Sequence, residues 1–290
     1  NFPAHSARAD RIRELLTQKK KYSVEDFCSM QLDLYDLRAR DVLPDLIGIL
    51  QGSEDTEVQL AAKLLDEWDC YSGTESIGAC LYYPFLDRFW QRKFMYKVLK
   101  DDLINLLPLG APGLNLFDIN SFINSESHWK DEEELLKATI REEMRKVVDR
   151  VKLSLGNDCS EWRWGNLHKI EFWHSLNNYS TWKKFKLGPD DIGGSPTTLG
   201  MAMHMGKGPG KAKKNEVPCR VFHGPAYRLV VDLADPFKAK FVIAGGNGGR
   251  VESDFSMNQY TTWLKGQYFT LNLKREEVDE HTVWQFEKIP

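Results

Sequence analysis

A long amphipathic helix predicted over residues 131–155 constrains the fold of this chain more than any other feature. Acidic residues from Asp131 to Glu134 stand where the unpaired N–H groups of a helix start favour negative charge, and Gly156 is a typical C-terminal stop. Apolar residues at three- and four-residue steps form one stripe: Leu136, Ile140, Met144, Val147, Val148, Val151 and Leu155. The stripe predicts a core helix, and the charged face opposite is its solvated side.

The rest of the first half also has helical periodicity. Ser23 and Asp26 form the pattern of a capping box, in which each side chain bonds the other residue's backbone N–H. Segments 57–68 and 77–99 repeat the helical pattern. A helix that breaks or kinks at Pro44 is predicted from apolar side chains at helical spacing: Phe27, Met30, Leu34 and Leu37.

After Gly156 the sequence changes to strands and turns. Four β-rich runs are separated by Gly, Pro and Asp, at Phe222, 227–233, 241–243 and 267–273. Residues 200–214 are rich in Gly and Lys and lack a phosphate-loop pattern, so we expect a solvated loop there. Residues 106–130 are rich in turn-forming residues and are expected to be irregular. The predicted fold class is α+β, with a helical segment 1–156 and a β-rich segment 157–290 in one structural unit rather than independent domains.

Composition supports a folded core and narrows the partners. The chain has 290 residues, is 42% hydrophobic and carries a formal net charge of −3, which gives no electrostatic reason to expect nucleic acid or an anionic membrane. No apolar run reaches the length of a bilayer span. The cysteines are odd in number and lack a zinc-type spacing, so we expect buried free thiols rather than disulfides: Cys28, Cys70, Cys80, Cys159 and Cys219.

Residue types alone do not point to a reaction. His168 and His174 would share one side of a continuous strand, which suggests a metal pair, but the surrounding aromatic residues favour hydrogen-bonded core histidines. No Gly-x-Ser-x-Gly elbow is present, and no pair of carboxylates stands out. On these residues alone, the prediction stops at an α+β domain.

Short motifs in a fixed order carry more information. They are Arg8-Ala-Asp-Arg-Ile12, Glu67-Trp68-Asp69, Trp164-Gly165-Asn-Leu167-His168, Gly193-Gly194 with Thr197, Gly224-Pro225 with Tyr227-Arg228 and Val231-Asp232, and Ser253, Gln259, Trp263 and Gly266. Each motif alone is weak, but together they resemble the C-terminal part of the large chain of the penicillin amidase family of N-terminal-nucleophile hydrolases. Gly246-Asn-Gly-Gly249 and Ser175 depart from the family pattern and mark a divergent member.

The resemblance implies an αββα fold, with two stacked sheets between helical layers, and hydrolysis of a side-chain amide such as a penicillin or an N-acyl homoserine lactone. The family's nucleophile is an N-terminal Ser, whereas this sequence begins at Asn1, so we expect the nucleophile outside this chain and no activity from the chain alone. Arg11 matches an arginine that lies beside the nucleophile and the oxyanion hole in relatives, and Arg8 is the neighbouring candidate. A fixed guanidinium there orients the donors that stabilise the tetrahedral intermediate. The alternative, which the residues leave open, is a helix arginine that only bonds a carboxylate.

The other matched positions are expected to be structural: Trp164, Gly165, His168, His174, Arg228 and Asp232. No metal ligand and no cofactor are expected in this chain. Some relatives bind calcium, through positions expected upstream of Asn1. The expected partners are the missing N-terminal part of the enzyme and a small acyl amide substrate. A second copy of this chain, bound through an exposed apolar face, is a further expected partner. The compartment stays open between cytoplasmic and exported. The alternative is a non-catalytic module that binds a protein or ligand, and such a module would not expose an apolar face.

Overall fold

A computed structural model of the protein describes residues 7–86, 97–98, 132–174, 176, 179–182, 185–205, 218–272 and 274–280. Helices occupy the described chain up to Leu155 and strands dominate from His168 onward, which confirms the predicted α+β class. The chain forms two compact units: the first joins the segment up to Glu14 with Leu34–Gly224, and the second joins Leu15–Asp33 with the segment from Pro225 onward. The organisation as one structural unit stays a prediction.

The elements are as follows in chain order. The helices are α1 Ala7–Thr17, α2 Val24–Met30, α3 Leu37–Gln51, α4 Thr56–Asp66, α5 Ala79–Leu86, α6 Glu133–Leu155, α7 Trp164–Leu167, α8 Tyr260–Leu264 and α9 Arg275–Glu280. The strands are β1 His168–Trp173, β2 Lys186–Asp191, β3 Met203–Met205, β4 Cys219–His223, β5 Tyr227–Val231, β6 Lys238–Ile243 and β7 Phe269–Asn272.

The core of the first unit is a helical cluster in which α6 contacts α3, α4 and α5. The predicted stripe of α6 is confirmed: six of its seven members, from Leu136 to Val151, are buried, and Leu155 packs partly buried against the cluster. Gly156 ends the helix at a φ of +95°, a conformation that favours glycine. Burial of this stripe, rather than helix propensity alone, holds the long helix in place.

The helix predicted through residues 27–37 up to Pro44 starts as predicted, but it is interrupted after Met30 and the next helix does not break at Pro44. Helix α2 ends at Met30, and α3 begins only after Asp36, whose carboxylate accepts a hydrogen bond from the Ala39 backbone N–H at 3.1 Å. Pro44 lies inside α3, which continues to Gln51. A proline removes one helix hydrogen bond, and the buried apolar face of α3 outweighs that loss.

A four-stranded sheet completes the first unit, in the order β2-β1-β4-β3. Strand β1 runs antiparallel to β2 and parallel to β4, and β3 runs antiparallel to β4. The loop predicted over 200–214 is therefore wrong at 203–205, where Met203 pairs with His223. Residues 206–214 of that predicted loop lie outside the described residues.

The second unit is a three-stranded antiparallel sheet, β5-β6-β7, with α2 beside β5 and α8 against β6. The predicted capping box of α2 is confirmed, since Ser23 and Asp26 bond each other's backbone N–H at 2.9 and 3.1 Å. Gln31 donates from its side-chain amide to the Leu229 carbonyl at 3.0 Å. This bond fixes the end of α2 to the strand.

Other predictions have mixed outcomes. Helix α4 confirms segment 57–68. Helix α5 and the helical residues 97–98 confirm the described part of segment 77–99 from Ala79 onward, while 87–96, 99 and 106–130 lie outside the described residues. All five cysteines are free thiols, three of them buried. Over the described residues, no helix is both long and apolar enough to cross a bilayer.

Candidate catalytic-support site

Arg11 lies on α1 in a firmly held position. Its Nη1 donates to Glu14 Oε2 at 3.1 Å, its guanidinium carbon lies 4.5 Å from the centre of the Tyr35 ring, and its side chain is 17% exposed. Glu14 also accepts from Arg40 Nη1 at 2.8 Å. Burial works against ionisation of Glu14, but the hydrogen bonds from Arg40 and Arg11 lower its pKa. The carboxylate between two guanidinium groups and the aromatic ring therefore fix the orientation of Arg11.

Arg8, almost one helical turn earlier, has quite different surroundings. Its Nη1 points at Met201 Sδ at 3.4 Å, a weak acceptor. Its Nε is buried and has no hydrogen-bond partner among the residues that the structure describes. Arg8 therefore keeps donor capacity, whereas the charge of Arg11 is already balanced by Glu14.

A buried carboxylate lies directly after Tyr35 in the sequence. Asp36 is fully buried, and its Oδ2 accepts hydrogen bonds from Tyr83 Oη at 2.7 Å, Thr197 Oγ1 at 2.5 Å and Ser195 Oγ at 3.2 Å. Three hydroxyl donors compensate the loss of water around the carboxylate. The network ties the start of α3 to α5 and to the turn at 193–198.

Tyr83 is the central donor of this network. Its hydroxyl lies 2.5 Å from Ser72 Oγ as well as within reach of Asp36. Burial, and then the charge of Asp36, raise the pKa of Tyr83 well above 10. The phenol therefore keeps its proton at physiological pH and remains a donor.

Trp164 and Gly165 open helix α7 beside this turn. Trp164 is fully buried and its indole N–H donates to the Gly194 carbonyl at 3.3 Å. A Cβ on Gly165 would lie 3.0 Å from the Cβ atoms of Asp191 and Thr74, closer than ordinary packing allows. Their structural role, predicted for the family motif, is consistent with this close packing.

His168 is a core histidine and not an open metal ligand. Its ring stacks on Trp164 with centroids 4.5 Å apart, and its Nδ1 and Nε2 lie 2.7 and 3.2 Å from the carbonyl oxygens of Ile192 and Ala202. Burial, with a smaller contribution from His204, lowers the pKa of His168 to about 3. The neutral ring donates one hydrogen bond, and both nitrogens face carbonyl oxygens. Within the described residues, no cluster of His, Cys, Asp and Glu could hold a metal ion.

His174 does not form a pair with His168. Strand β1 ends at Trp173, and its register with β2 shifts between Ile170 and Phe172, so the even spacing does not place the two histidines on one strand face. The Nδ1 of His174 accepts from the Leu176 backbone N–H at 3.1 Å. The metal-pair alternative therefore has no geometry to support it.

Arg228 and Asp232 lie in the second unit. Arg228 is buried on β5, donates from Nη2 to the Trp263 carbonyl, and places its guanidinium carbon 5.2 and 5.6 Å from the ring centres of Trp263 and Tyr268. Burial lowers its pKa. Asp232 accepts from the Ala234 backbone N–H at 2.9 Å in the turn after β5. Both side chains organise the unit locally.

Sequence reasoning missed the two polar clusters of the first unit. Asp36 was indistinguishable from a mid-helix residue, since Leu34 and Leu37 keep helical spacing on either side of it. His204 has no local pattern, yet its ring centre lies 5.0 Å from that of His168. An N-cap residue before Leu37 was the one local feature that could have revealed Asp36.

Comparison with known proteins places these features in a family. The penicillin amidase family matches residues 1–280, which is nearly the whole chain. The chain belongs to the penicillin amidase family of N-terminal-nucleophile hydrolases, as its motifs predict.

The similar proteins are acylases. The chain is 24% identical over 253 residues to the acyl-homoserine lactone acylase QuiP of Pseudomonas fluorescens, covering 82% of this chain and 28% of that protein. It is 28% identical over 163 residues to the acylase of the same name from Pseudomonas syringae pv. tomato, covering 53% and 18%. A thermostable penicillin G acylase from Alcaligenes faecalis shares the fold at a TM-score of 0.52 and 12% identity, over 97% of this chain and 52% of that chain. The chain thus spans about a quarter of the first of these relatives and about half of the solved acylase chain.

Proposed function

We propose that this chain is the C-terminal part of an acylase that hydrolyses side-chain amides, of the N-acyl homoserine lactone or penicillin type. The family match over residues 1–280 carries the proposal. The shares of 28% and 52% of the relatives' lengths support a further polypeptide that completes the enzyme. In the completed enzyme the helices and sheets of this chain form part of an αββα sandwich.

The proposed chemistry is acyl transfer to an N-terminal Ser on that further polypeptide. The α-amino group takes the hydroxyl proton and the oxygen attacks the amide carbon, which gives a tetrahedral intermediate that carries an oxyanion. The C–N bond then breaks as the protonated α-amino group passes its proton to the departing amine. Water then hydrolyses the ester. In this proposal, the present chain contributes residues around the reaction site, and the further polypeptide contributes the nucleophile.

Arg11 is the proposed oxyanion-site support. The contacts with Glu14 and Tyr35 hold its guanidinium in one orientation, which is the property that preorganised electrostatic stabilisation requires. Arg8 lies on the same helix, its Nη1 contacts only the weak acceptor Met201 Sδ among the described residues, and its Nε has no partner there, so it is the alternative for direct contact with the developing charge. Loss of a direct oxyanion donor costs about 2.7–4 kcal/mol of transition-state stabilisation, and loss of a residue that only supports such donors costs less.

The test measures hydrolysis of phenylacetyl and long-chain acyl amides. The chain is assayed alone and after co-expression with the polypeptide encoded ahead of it. We expect turnover only from the combined polypeptides, with kcat/KM reduced in Arg11→Ala and Arg8→Ala. Arg13→Ala is the matched control, because Arg13 is on the same helix with a side chain 74% exposed, and it should leave kcat/KM unchanged. Turnover by the chain alone would contradict the proposal.

The two arginine variants also distinguish their roles. A reduction of about a hundredfold or more in one variant identifies direct contact with the oxyanion, since a lost donor costs that much. A reduction of about tenfold identifies positioning. Equal activity of wild type, Arg8→Ala and Arg11→Ala would remove both residues from the proposed site.

A further inference from the structure

The sheet of the second unit has one face without a polar side chain other than the Tyr227 hydroxyl. Paired residues across an antiparallel sheet lie on the same face, and the register gives three rows. The rows are Tyr227–Ile243, Leu229–Phe241–Phe269 and Val231–Ala239–Leu271. We call these eight residues the apolar sheet face.

Much of the apolar sheet face is open to solvent. Tyr227 is 52% exposed, Phe269 42%, Leu271 40% and Val231 39%. The exposed members come from both edge strands, β5 and β7. On the central strand β6, Phe241 and Ile243 are partly buried and Ala239 is buried. Large apolar side chains exposed at both edges of one sheet face are typical of an interaction surface.

The opposite face shows the pattern of a face that is already occupied. Arg228, Val230 and Val242 are buried there, and Trp263 of α8 lies against Arg228. Lys240 on β6 and Thr270 on the edge strand β7 belong to the same face, and Lys240 Nζ donates to Thr270 Oγ1 at 3.2 Å. The polar side chains of Lys240 and Thr270 thus belong to the covered face, and the apolar sheet face is the more exposed of the two.

This distribution is the reverse of that in a sheet with one face in water. Such sheets alternate apolar inward and polar outward, whereas sheets covered on both faces have continuous apolar runs. Leu229-Val230-Val231 and Phe241-Val242-Ile243 are continuous apolar runs. The sequence of the sheet therefore fits a second covering layer.

We infer that the apolar sheet face is the docking surface for the part of the acylase that this chain does not span. The inference rests on the proposed function. The chain covers 52% of the solved acylase chain and 28% of the first curated relative, so a large polypeptide is available to supply the second layer. A second copy of this chain is the competing occupant.

The experiment measures assembly separately from hydrolysis. The tagged full chain is co-expressed with the polypeptide encoded ahead of it, and the complex is measured by co-purification, light scattering and titration. Leu271→Asp and Tyr227→Asp place charge at two ends of the apolar sheet face. Thr270→Asp is the matched control, because Thr270 is exposed on the same strand and belongs to the opposite face. Circular dichroism selects variants that keep the wild-type fold.

We expect a one-to-one complex that Leu271→Asp and Tyr227→Asp weaken more than about tenfold, because each substitution buries a charge in an apolar interface. Thr270→Asp should bind within about twofold of wild type. Equal binding by Leu271→Asp, Tyr227→Asp and Thr270→Asp would overturn the docking surface and leave the proposed function intact. Self-association through this face with no heterologous complex would overturn the assigned occupant. A complex that assembles through the face without hydrolysing any amide would contradict the proposed function alone.

Discussion

Replacement of Tyr83 by Phe tests the buried network around Asp36. The ring should stay in place, because it packs against Trp164 and Trp68 at centroid distances of 5.2 and 6.1 Å. Only the hydroxyl is lost, and with it the donor to Asp36 and the contact with Ser72. A bond to a charged group contributes about 1.5–3 kcal/mol and a neutral one about 0.5–1.5 kcal/mol, so the free energy of unfolding should fall by roughly 2–4.5 kcal/mol.

Urea unfolding followed by circular dichroism measures this loss directly. Tyr179→Phe is the matched control, because Tyr179 is 66% exposed; its free energy of unfolding should stay within about 0.5 kcal/mol of wild type. A loss below about 0.5 kcal/mol in Tyr83→Phe would refute the reasoning that the network depends on this hydroxyl.

The same variant has a pH signature. The pKa of Tyr83 is raised from 10 in the folded protein, so above pH 10 the unfolded chain releases the proton that the folded chain retains. The stability that this residue contributes is therefore fully present below pH 10 and declines as the pH rises further. Tyr83→Phe should show a shallower alkaline decline than wild type, and an identical decline would contradict the raised pKa.

Three further predictions concern the first unit. His168 has a pKa of about 3 in the folded protein and 6.5 in the unfolded chain, so stability is lost as the pH falls below 6.5, by about 2 kcal/mol at pH 5. Urea unfolding at pH 7 and pH 5 should show a smaller loss of stability in His168→Gln than in wild type. Equal losses would count against the neutral buried ring. Gly194→Ala should lower the melting temperature, because the φ of Gly194 is +91° and the new Cβ would lie 2.2 Å from the Gly200 carbonyl oxygen. Gly48→Ala is the control and should not lower it, because Gly48 is in helix α3 and a Cβ there would meet no atom within 4 Å. Equal effects of the two substitutions would argue against this turn geometry. Met144→Ala on the buried face of α6 should cost about 2–5 kcal/mol in urea unfolding, and a cost under 1 kcal/mol would contradict its place in the core.

Local patterns were sufficient for some elements. Helix α6 was predictable because its apolar stripe, acidic start and terminal Gly156 lie within one segment. The capping box at Ser23 was predictable for the same reason, since Ser23 and Asp26 are three residues apart. Such elements depend on contacts between near neighbours, which the order of residues contains directly.

Elements that depend on distant partners were not predictable in this way. The start of α3 is stabilised by Asp36, whose partner Thr197 is 161 residues away in sequence. Strand β3 is three residues long and exists through its pairing with β4. The apolar sheet face requires the register of β5, β6 and β7, although the apolar runs were visible in the sequence.

The candidate site shows the same division. Arg11 was predicted from its motif, and its role stays a prediction; its actual partners, Glu14 and Tyr35, followed from no motif. The difference between Arg11 and Arg8 became visible only from their contacts. A motif can indicate which helix carries the candidate arginines, but packing decides what each guanidinium contacts.

The most direct test of the central claim locates the nucleophile. A sulfonyl fluoride that modifies activated serine hydroxyls is added to the complex of this chain with the polypeptide encoded ahead of it, and the modified residue is identified by mass spectrometry. The account predicts loss of amide hydrolysis with one label on the N-terminal Ser of the other polypeptide and none on this chain. An inactivating label on a serine of this chain would contradict it.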